Sequence, residues 1–272
     1  MNQFRPTSPF SMPPVVKNLI MINIVMLVAT WALQSLGIDL TEKLGLFYVG
    51  SPYFRPYQFI THIFMHGNFI HLFLNMFALY MFGKVLEMVW GPKRFLIYFF
   101  VTGIGAAILH SLVTYMEISS MERAAAAFYN TPSPELLARF VKSYYGHQIP
   151  EITDIINSWY DNPASSALAQ KGTELVHQIA QMRMNVPTVG ASGAVFGILL
   201  AFGYLFPNTE LFLLFPPIPI KAKYFVIGYG ALELYSAFTQ SNSGIAHFAH
   251  LGGMLFGFLL LKYWGKNSRN FY

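Results

Sequence analysis

Six stretches of roughly 20 mainly apolar residues punctuate the chain, at 18–36, 69–89, 94–115, 189–205, 222–238 and 246–264. Each is about long enough to cross a bilayer as a helix. The second and sixth also carry histidines and an asparagine. Polar groups in a span are costly, so they face the protein interior and mark function. Between the third and fourth stretches the pattern changes. Residues 116–187 are less apolar and hold most of the acidic side chains. There, Ser133 precedes Pro134 and Glu135, a helix-start signature, and Leu136, Leu137, Phe140 and Val141 follow on one face. Pro150 opens a second short helix with Ile152, Ile155 and Ile156, and 165–184 a third with Leu175, Ile179 and Met182 in one stripe. The pattern predicts an all-α polytopic membrane protein. It has six transmembrane helices and a helical extramembrane insertion between helices 3 and 4. The expected division is a cytoplasmic tail at 1–17, helices 1–3 at 18–115, an extracytoplasmic insertion at 116–187, helices 4–6 at 188–264, and a cytoplasmic tail at 265–272.

Composition agrees. Of 272 residues 54% are hydrophobic and only 11% charged, with mean hydropathy +0.44. Soluble domains carry roughly 25% charged residues. The formal charge of +5 comes from residues flanking the spans, not from a basic stripe, so nucleic acid is not an expected partner. The chain has no cysteine, which removes disulfides, thiolate metal sites and a cysteine nucleophile.

The basic residues also orient the chain. With the N-terminus inside, the inner side holds Arg5, Lys17, Lys84, Lys93, Arg94, Lys221, Lys223, Lys262, Lys266 and Arg269, while the short outer loops hold Lys43 and Arg55. This bias places both termini in the cytoplasm. The N-terminal tail shows no signal-type cleavage site or organelle-targeting peptide, so a bacterial cytoplasmic membrane is the expected location.

Three clusters carry candidate chemistry. Gly190-Ala191-Ser192-Gly193 stands where the fourth span begins. A serine hydroxyl is a weak nucleophile without a base. A helix N-terminus offers free N–H donors and a positive dipole to an oxyanion. Taken alone, the tetrapeptide also reads as a small-residue packing face. His250 starts the sixth span and is followed by Gly253 and Gly257; Ser192 is followed by Gly193 and Gly197. Each helix therefore has Gly-x-x-x-Gly below its polar residue, a spacing that allows close helix approach. If those faces meet, Ser192 and His250 lie at one depth and a dyad follows. A hydrogen-bonded interfacial role is the alternative for His250 alone. The third cluster is His62-x-x-x-His66-x-x-x-x-His71-x-x-x-Asn75. His71 and Asn75 share a helical face, and both can donate to an oxyanion. His66 precedes Asn68, a candidate helix cap, and is a supporting residue for that turn. His62 and His66 also have a spacing compatible with metal. The stretch, however, holds no His-Glu-x-x-His and no acidic residue, so neither metal nor cofactor is expected. Glu233 sits in the fifth span, where a hydrogen-bonded structural role or the nearby interface accounts for it; it is not assigned as a third catalytic residue. His247 has no required role.

The chain resembles the rhomboid family of intramembrane serine proteases. The resemblance rests on the His62/His66/His71/Asn75 pattern, on Gly190-x-Ser192-Gly193, and on Ala249-His250-x-x-Gly253-x-x-x-Gly257, in the family's order on spans two, four and six. It implies that Ser192 is the nucleophile and His250 the base. His71, Asn75 and the Ser192 N–H would form the oxyanion hole, and Phe196 would lie against the histidine. It implies a Ser-His dyad without cofactor, transmembrane proteins as substrates, the lipid bilayer as surroundings, and a cap over the site at 240–245. Water would reach the site from the outer side. Two features depart from the pattern. Tyr57-Gln58 replaces a Trp-Arg pair found in some bacterial members, and the 116–187 insertion replaces a short loop. The insertion is expected to shape substrate access or bind a partner, or else to be a passive decoration. The rival functions are a catalytically idle client-binding relative and a transporter or metal-handling protein that uses the histidines.

Overall fold

The computed structural model describes residues 12–146, 149–212, 218–239 and 244–267. The chain begins with helix α1 (Pro14–Gln34), and the first loop then carries two short helices, α2 (Leu40–Leu44) and α3 (Gln58–Thr61). Helices α4 (Phe69–Ala78) and α5 (Lys84–Trp90) follow as one rod with a π-helical turn at Leu79–Gly83 between them. Next come α6 (Pro92–Asn130), α7 (Pro134–Tyr144), α8 (Pro150–Asp161) and α9 (Ser166–Met184). The remainder is α10 (Ser192–Leu205), strands β1 (Glu210–Phe212) and β2 (Pro219–Lys221), α11 (Ala222–Thr239) and α12 (Gly244–Asn267).

Each of the six apolar stretches falls on a helix. Three rods, Pro14–Gln34, Phe69–Trp90 and Pro92–Asn130, are long and apolar enough to cross a membrane. Their outward faces remain apolar: Ile22, Val25 and Val28 on α1 and Phe73 and Leu74 on α4 are exposed, as lipid contact permits. Helices α6, α10 and α12 pack against one another at the centre, α11 leans on α12 and α10, and α1 on α4 and α5. The main core gathers Val16, Leu79, Leu86, Phe95, Tyr98 and Ile198 among its members. At its inner corner the buried Glu87 accepts from the backbone N–H groups of Val15 and Val16, at 2.9 and 2.8 Å, and so caps the first turn of α1.

Several boundaries differ from the sequence expectation. α1 begins at Pro14, inside the expected 1–17 tail; proline suits a first helical turn because its missing N–H has no acceptor there. Residues 1–11 and 268–272 of the expected tails lie outside the described residues. α6 does not stop at 115 but runs unbroken to Asn130, carried by the strong helix formers of Glu122-Arg123-Ala124-Ala125-Ala126-Ala127. α10 starts at Ser192, not 189. The fold is also not wholly helical. β1 and β2 pair antiparallel, Leu211 opposite Ile220, so these two strands satisfy part of each other's backbone groups.

The three helices expected within 116–187 are present as α7, α8 and α9. Ser133 and Ser165 accept from the N–H groups of Leu136 and Leu168. They close over a second core of Ile118, Phe128, Leu137, Phe140, Trp159 and Val176. On α9 the buried stripe is Gly172, Val176 and Ile179, whereas Met182 is 52% exposed, so the expected third member turns outward. The small Gly172 is required: a Cβ there would sit 2.8 Å from the Trp159 ring.

Candidate active site

The site forms where α10, α11 and α12 meet the segment before α10. That segment is pinned from several sides. Leu46 and Thr188 exchange backbone hydrogen bonds at 2.9 and 2.8 Å, and the Gly190 N–H donates to the His62 carbonyl at 2.9 Å. The Thr188 hydroxyl lies 2.6 Å from His110 Nε2 on α6. Gly190 has φ +127°, and a Cβ there would meet the His71 ring at 2.8 Å. Glycine thus serves both backbone conformation and close approach at this point. The turn delivers Ser192 as the first residue of α10, where helix geometry leaves its N–H without an intrahelical acceptor.

The two glycine faces do meet. A Cβ on Gly253 would fall 1.8 Å from the Gly193 carbonyl oxygen, and one on Gly197 would fall 3.0 Å from the Gly253 carbonyl oxygen. Gly257 faces α6 instead, where a Cβ would approach the Tyr98 hydroxyl at 2.4 Å. The contact sets Ser192 and His250 at one level, with Ser192 Oγ 3.0 Å from His250 Nε2. Phe196, one turn below Ser192, stacks on His250 with ring centroids 4.1 Å apart and 7° between planes.

Glu233 on α11 is the residue the sequence reading undervalued. It is 5% exposed, and its Oε2 lies 2.8 Å from His250 Nδ1 and 2.6 Å from His247 Nδ1. His247 thus also enters the cluster. The only sequence signal was an intramembrane carboxylate; no spacing rule links position 233 to 247 and 250, because they lie on different helices. The donor atoms of Glu233, His247 and His250 lie within 4.8 Å of one another, the one such group among the described residues. These are the residues that could hold a divalent cation, if both imidazoles gave up their Nδ1 protons.

The histidine-rich loop is placed less simply. The His71 ring packs against Gly190, beside Ser192. Asn75 is buried, and one of its amide N–H groups donates to the His71 carbonyl at 2.9 Å. Asn68 caps α4 through the His71 N–H at 2.8 Å. His66 is buried beneath, 5.0 Å from the His71 ring, and among the described residues neither of its ring nitrogens has a hydrogen-bond partner. His62 Nδ1 lies 2.8 Å from the Gln58 carbonyl. Burial holds both imidazoles well below their ordinary range, to about 4. Gln58, at the Tyr57-Gln58 departure, is fully buried and its amide binds the Arg55 N–H and the Tyr53 carbonyl, knitting the loop from within. The expected cap at 240–245 falls mainly outside the described residues; α12 begins at Gly244.

Beside Ser192 lies a cavity of about 20 Å³ lined by His62, His110, Thr188 and Ser192 among others. A polar void of that size has room for about one water. It adjoins a cavity of about 320 Å³, which shares His110, Thr188 and Val189 and is also lined by Arg183 and Glu117.

The family profile described as Rhomboid domain matches residues 53–120 and 164–267, passing over the whole of α7 and α8. An uncharacterized mitochondrial rhomboid protein of Schizosaccharomyces pombe is 27% identical over 225 residues, 79% of this chain and 53% of the relative. RHOMBOID-like protein 12, mitochondrial, of Arabidopsis thaliana is 24% identical over 201 residues, 73% of this chain and 44% of the relative. Rhomboid protein 1, mitochondrial, of Saccharomyces cerevisiae is 34% identical over 89 residues, 33% of this chain and 25% of the relative. The chain thus spans about half the length, or less, of these curated relatives. A helical membrane protein with these motifs on these helices, matched by the profile over most of its length, belongs to the rhomboid family.

Proposed function

We propose that the protein is an intramembrane serine endopeptidase that cuts transmembrane segments of other membrane proteins. The observation that carries this reading is the 3.0 Å contact between Ser192 Oγ and His250 Nε2 at the mouth of α10. His250 takes the serine proton as Oγ bonds to the scissile carbonyl carbon, then returns it to the leaving amine as the C–N bond breaks. Negative charge on the former carbonyl oxygen is met by the Ser192 N–H, by His71, and by an Asn75 amide N–H. Water from the small cavity then releases the acyl group, with His250 again as base. A substrate helix must unwind to offer its peptide bond, and the glycine-lined surroundings favour small side chains.

In this reading α1, the α4–α5 rod, α6, α10, α11 and α12 form six spans with both termini cytoplasmic, in a cell membrane. The distribution of Lys and Arg supports the orientation. The 116–187 region then lies outside the membrane on the side where Ser192 opens, and it is placed to contact substrates or partners.

The test is cleavage of a single-span protein by the purified chain in detergent, beside Ser192→Ala and His250→Ala, with and without chelator. Cleavage lost in both variants and indifferent to chelator is expected. Cleavage by Ser192→Ala overturns the assignment, and chelator sensitivity would redirect it to the Glu233, His247 and His250 donors.

A further inference from the structure

The geometry points to Glu233 as a third member of the site: a positioning carboxylate that sets the tautomer of His250 and steadies its imidazolium, with His247 as a second donor to the same carboxylate oxygen. The inference rests on the serine-protease reading above.

An ionised carboxylate only accepts hydrogen bonds. With Oε2 at 2.8 Å from His250 Nδ1, that nitrogen carries the proton. Nε2 is then left with its lone pair, and it is Nε2 that lies against Ser192 Oγ. The opposite tautomer would aim an N–H at the serine and leave nothing to take its proton. Phe196 fixes the plane of the ring by stacking, but a stacked ring can still slide or turn within that plane. The bond from Glu233 removes that freedom. It also places a negative charge beside the ring that becomes positive when Ser192 loses its proton. Glu233 itself takes no proton in the reaction.

A buried carboxylate needs compensation. Among the described residues, the ion-pair partners of Glu233 are His247 and His250. One of these must change charge during catalysis, so His247 supplies the donor that remains. The spacing fits. His247 and His250 lie three apart on α12, so both Nδ1 atoms reach one oxygen of a side chain on the facing helix. The other ionisable groups facing His250 are Ser192 on α10 and His71 on α4; Tyr229, one turn from Glu233, lies tilted against Phe196, with ring centroids 4.9 Å apart. None of these gives His250 Nδ1 an acceptor.

The experiment measures kcat, KM and the melting temperature for the wild type, Glu233→Gln and Glu233→Asp, with Ser192→Ala as the blank. In Glu233→Gln, kcat falls at least about tenfold, toward the ~10⁴ that loss of the tautomer costs in soluble triads, with KM little changed. Glu233→Asp, which keeps the charge, restores part of kcat. A carboxylate that only latched α11 to α12 would lower the melting temperature without this loss of kcat per folded molecule. A Glu233→Gln kcat matching the wild type therefore overturns the inference while leaving the Ser192 assignment intact. Cleavage in the Ser192→Ala blank would instead overturn the serine reading. Should Glu233→Gln fail to fold, ¹⁵N-histidine spectra of the wild type at neutral pH decide. Protonated Nδ1 with bare Nε2 on His250 is expected, and the reverse tautomer overturns it.

Discussion

The ring of Phe196 lies parallel to that of His250, 7° apart in plane and 4.1 Å between centroids, one helical turn below Ser192. Offset stacking of this kind is worth about 0.5–1.5 kcal/mol beyond area burial. Phe196→Leu keeps an apolar side chain of similar bulk but loses the flat face. Cleavage is expected to slow by roughly two- to tenfold, the same energy expressed as rate, with the melting temperature in detergent little altered. Unchanged kinetics would show that Glu233 and the surrounding helices alone hold the histidine.

Gly253 is where α10 and α12 come closest. A methyl group there would fall 1.8 Å from the Gly193 carbonyl oxygen, inside any permissible contact with backbone. Gly253→Ala must push the helices apart and widen the Ser192–His250 gap. It is expected to destabilise by at least about 1–3 kcal/mol and to abolish cleavage. Gly265→Ala on the same helix is the control. Among the described residues nothing lies within 4 Å of a Cβ there, so it should be neutral or slightly stabilising. Thermal melts and cleavage assays on the pair separate close helix contact from general glycine effects.

Glu87 ties the start of α1 to α5 through two backbone N–H groups, 2.9 and 2.8 Å away. Glu87→Ala leaves those donors unsatisfied in a buried corner. A loss of about 1–3 kcal/mol is expected, read as a lower melting temperature and faster proteolysis near residue 14. The site lies at the other end of the bundle, so cleavage per folded molecule should hold.

Acid should destabilise the fold through the loop before α4. His62 and His66 are buried, with pKa values near 4 against an ordinary 6.5. Between those values the unfolded chain binds more protons than the folded one, so stability rises with pH across the window. Their contribution is whole above about pH 6.5 and is lost progressively as pH falls toward 4. Denaturant titrations between pH 7 and 4 should show this slope, and His66→Phe should flatten it. A slope unchanged in His66→Phe would place the acid sensitivity elsewhere.

The helices and the principal motif residues were legible in the sequence because each rests on local rules. Apolar stretches of membrane length, prolines at first turns, and Ser133 as a cap need no knowledge of neighbouring elements. The glycines after Ser192 and His250 pointed to close helix approach, and that contact is present at Gly193 and Gly253. Element ends were less legible. The continuation of α6 past Tyr115 and the β1–β2 pair depend on which neighbour satisfies a backbone or an apolar face. Only the tertiary structure could join Glu233 to His247 and His250. A carboxylate on one helix and two imidazoles on the next have no fixed sequence spacing; their meeting depends on the rotation and depth of α11 against α12. The same holds for Gln58, an ordinary polar residue in sequence and the buried organiser of a loop in space. Periodicity and caps are written along the chain, whereas hydrogen bonds between elements are decided by packing.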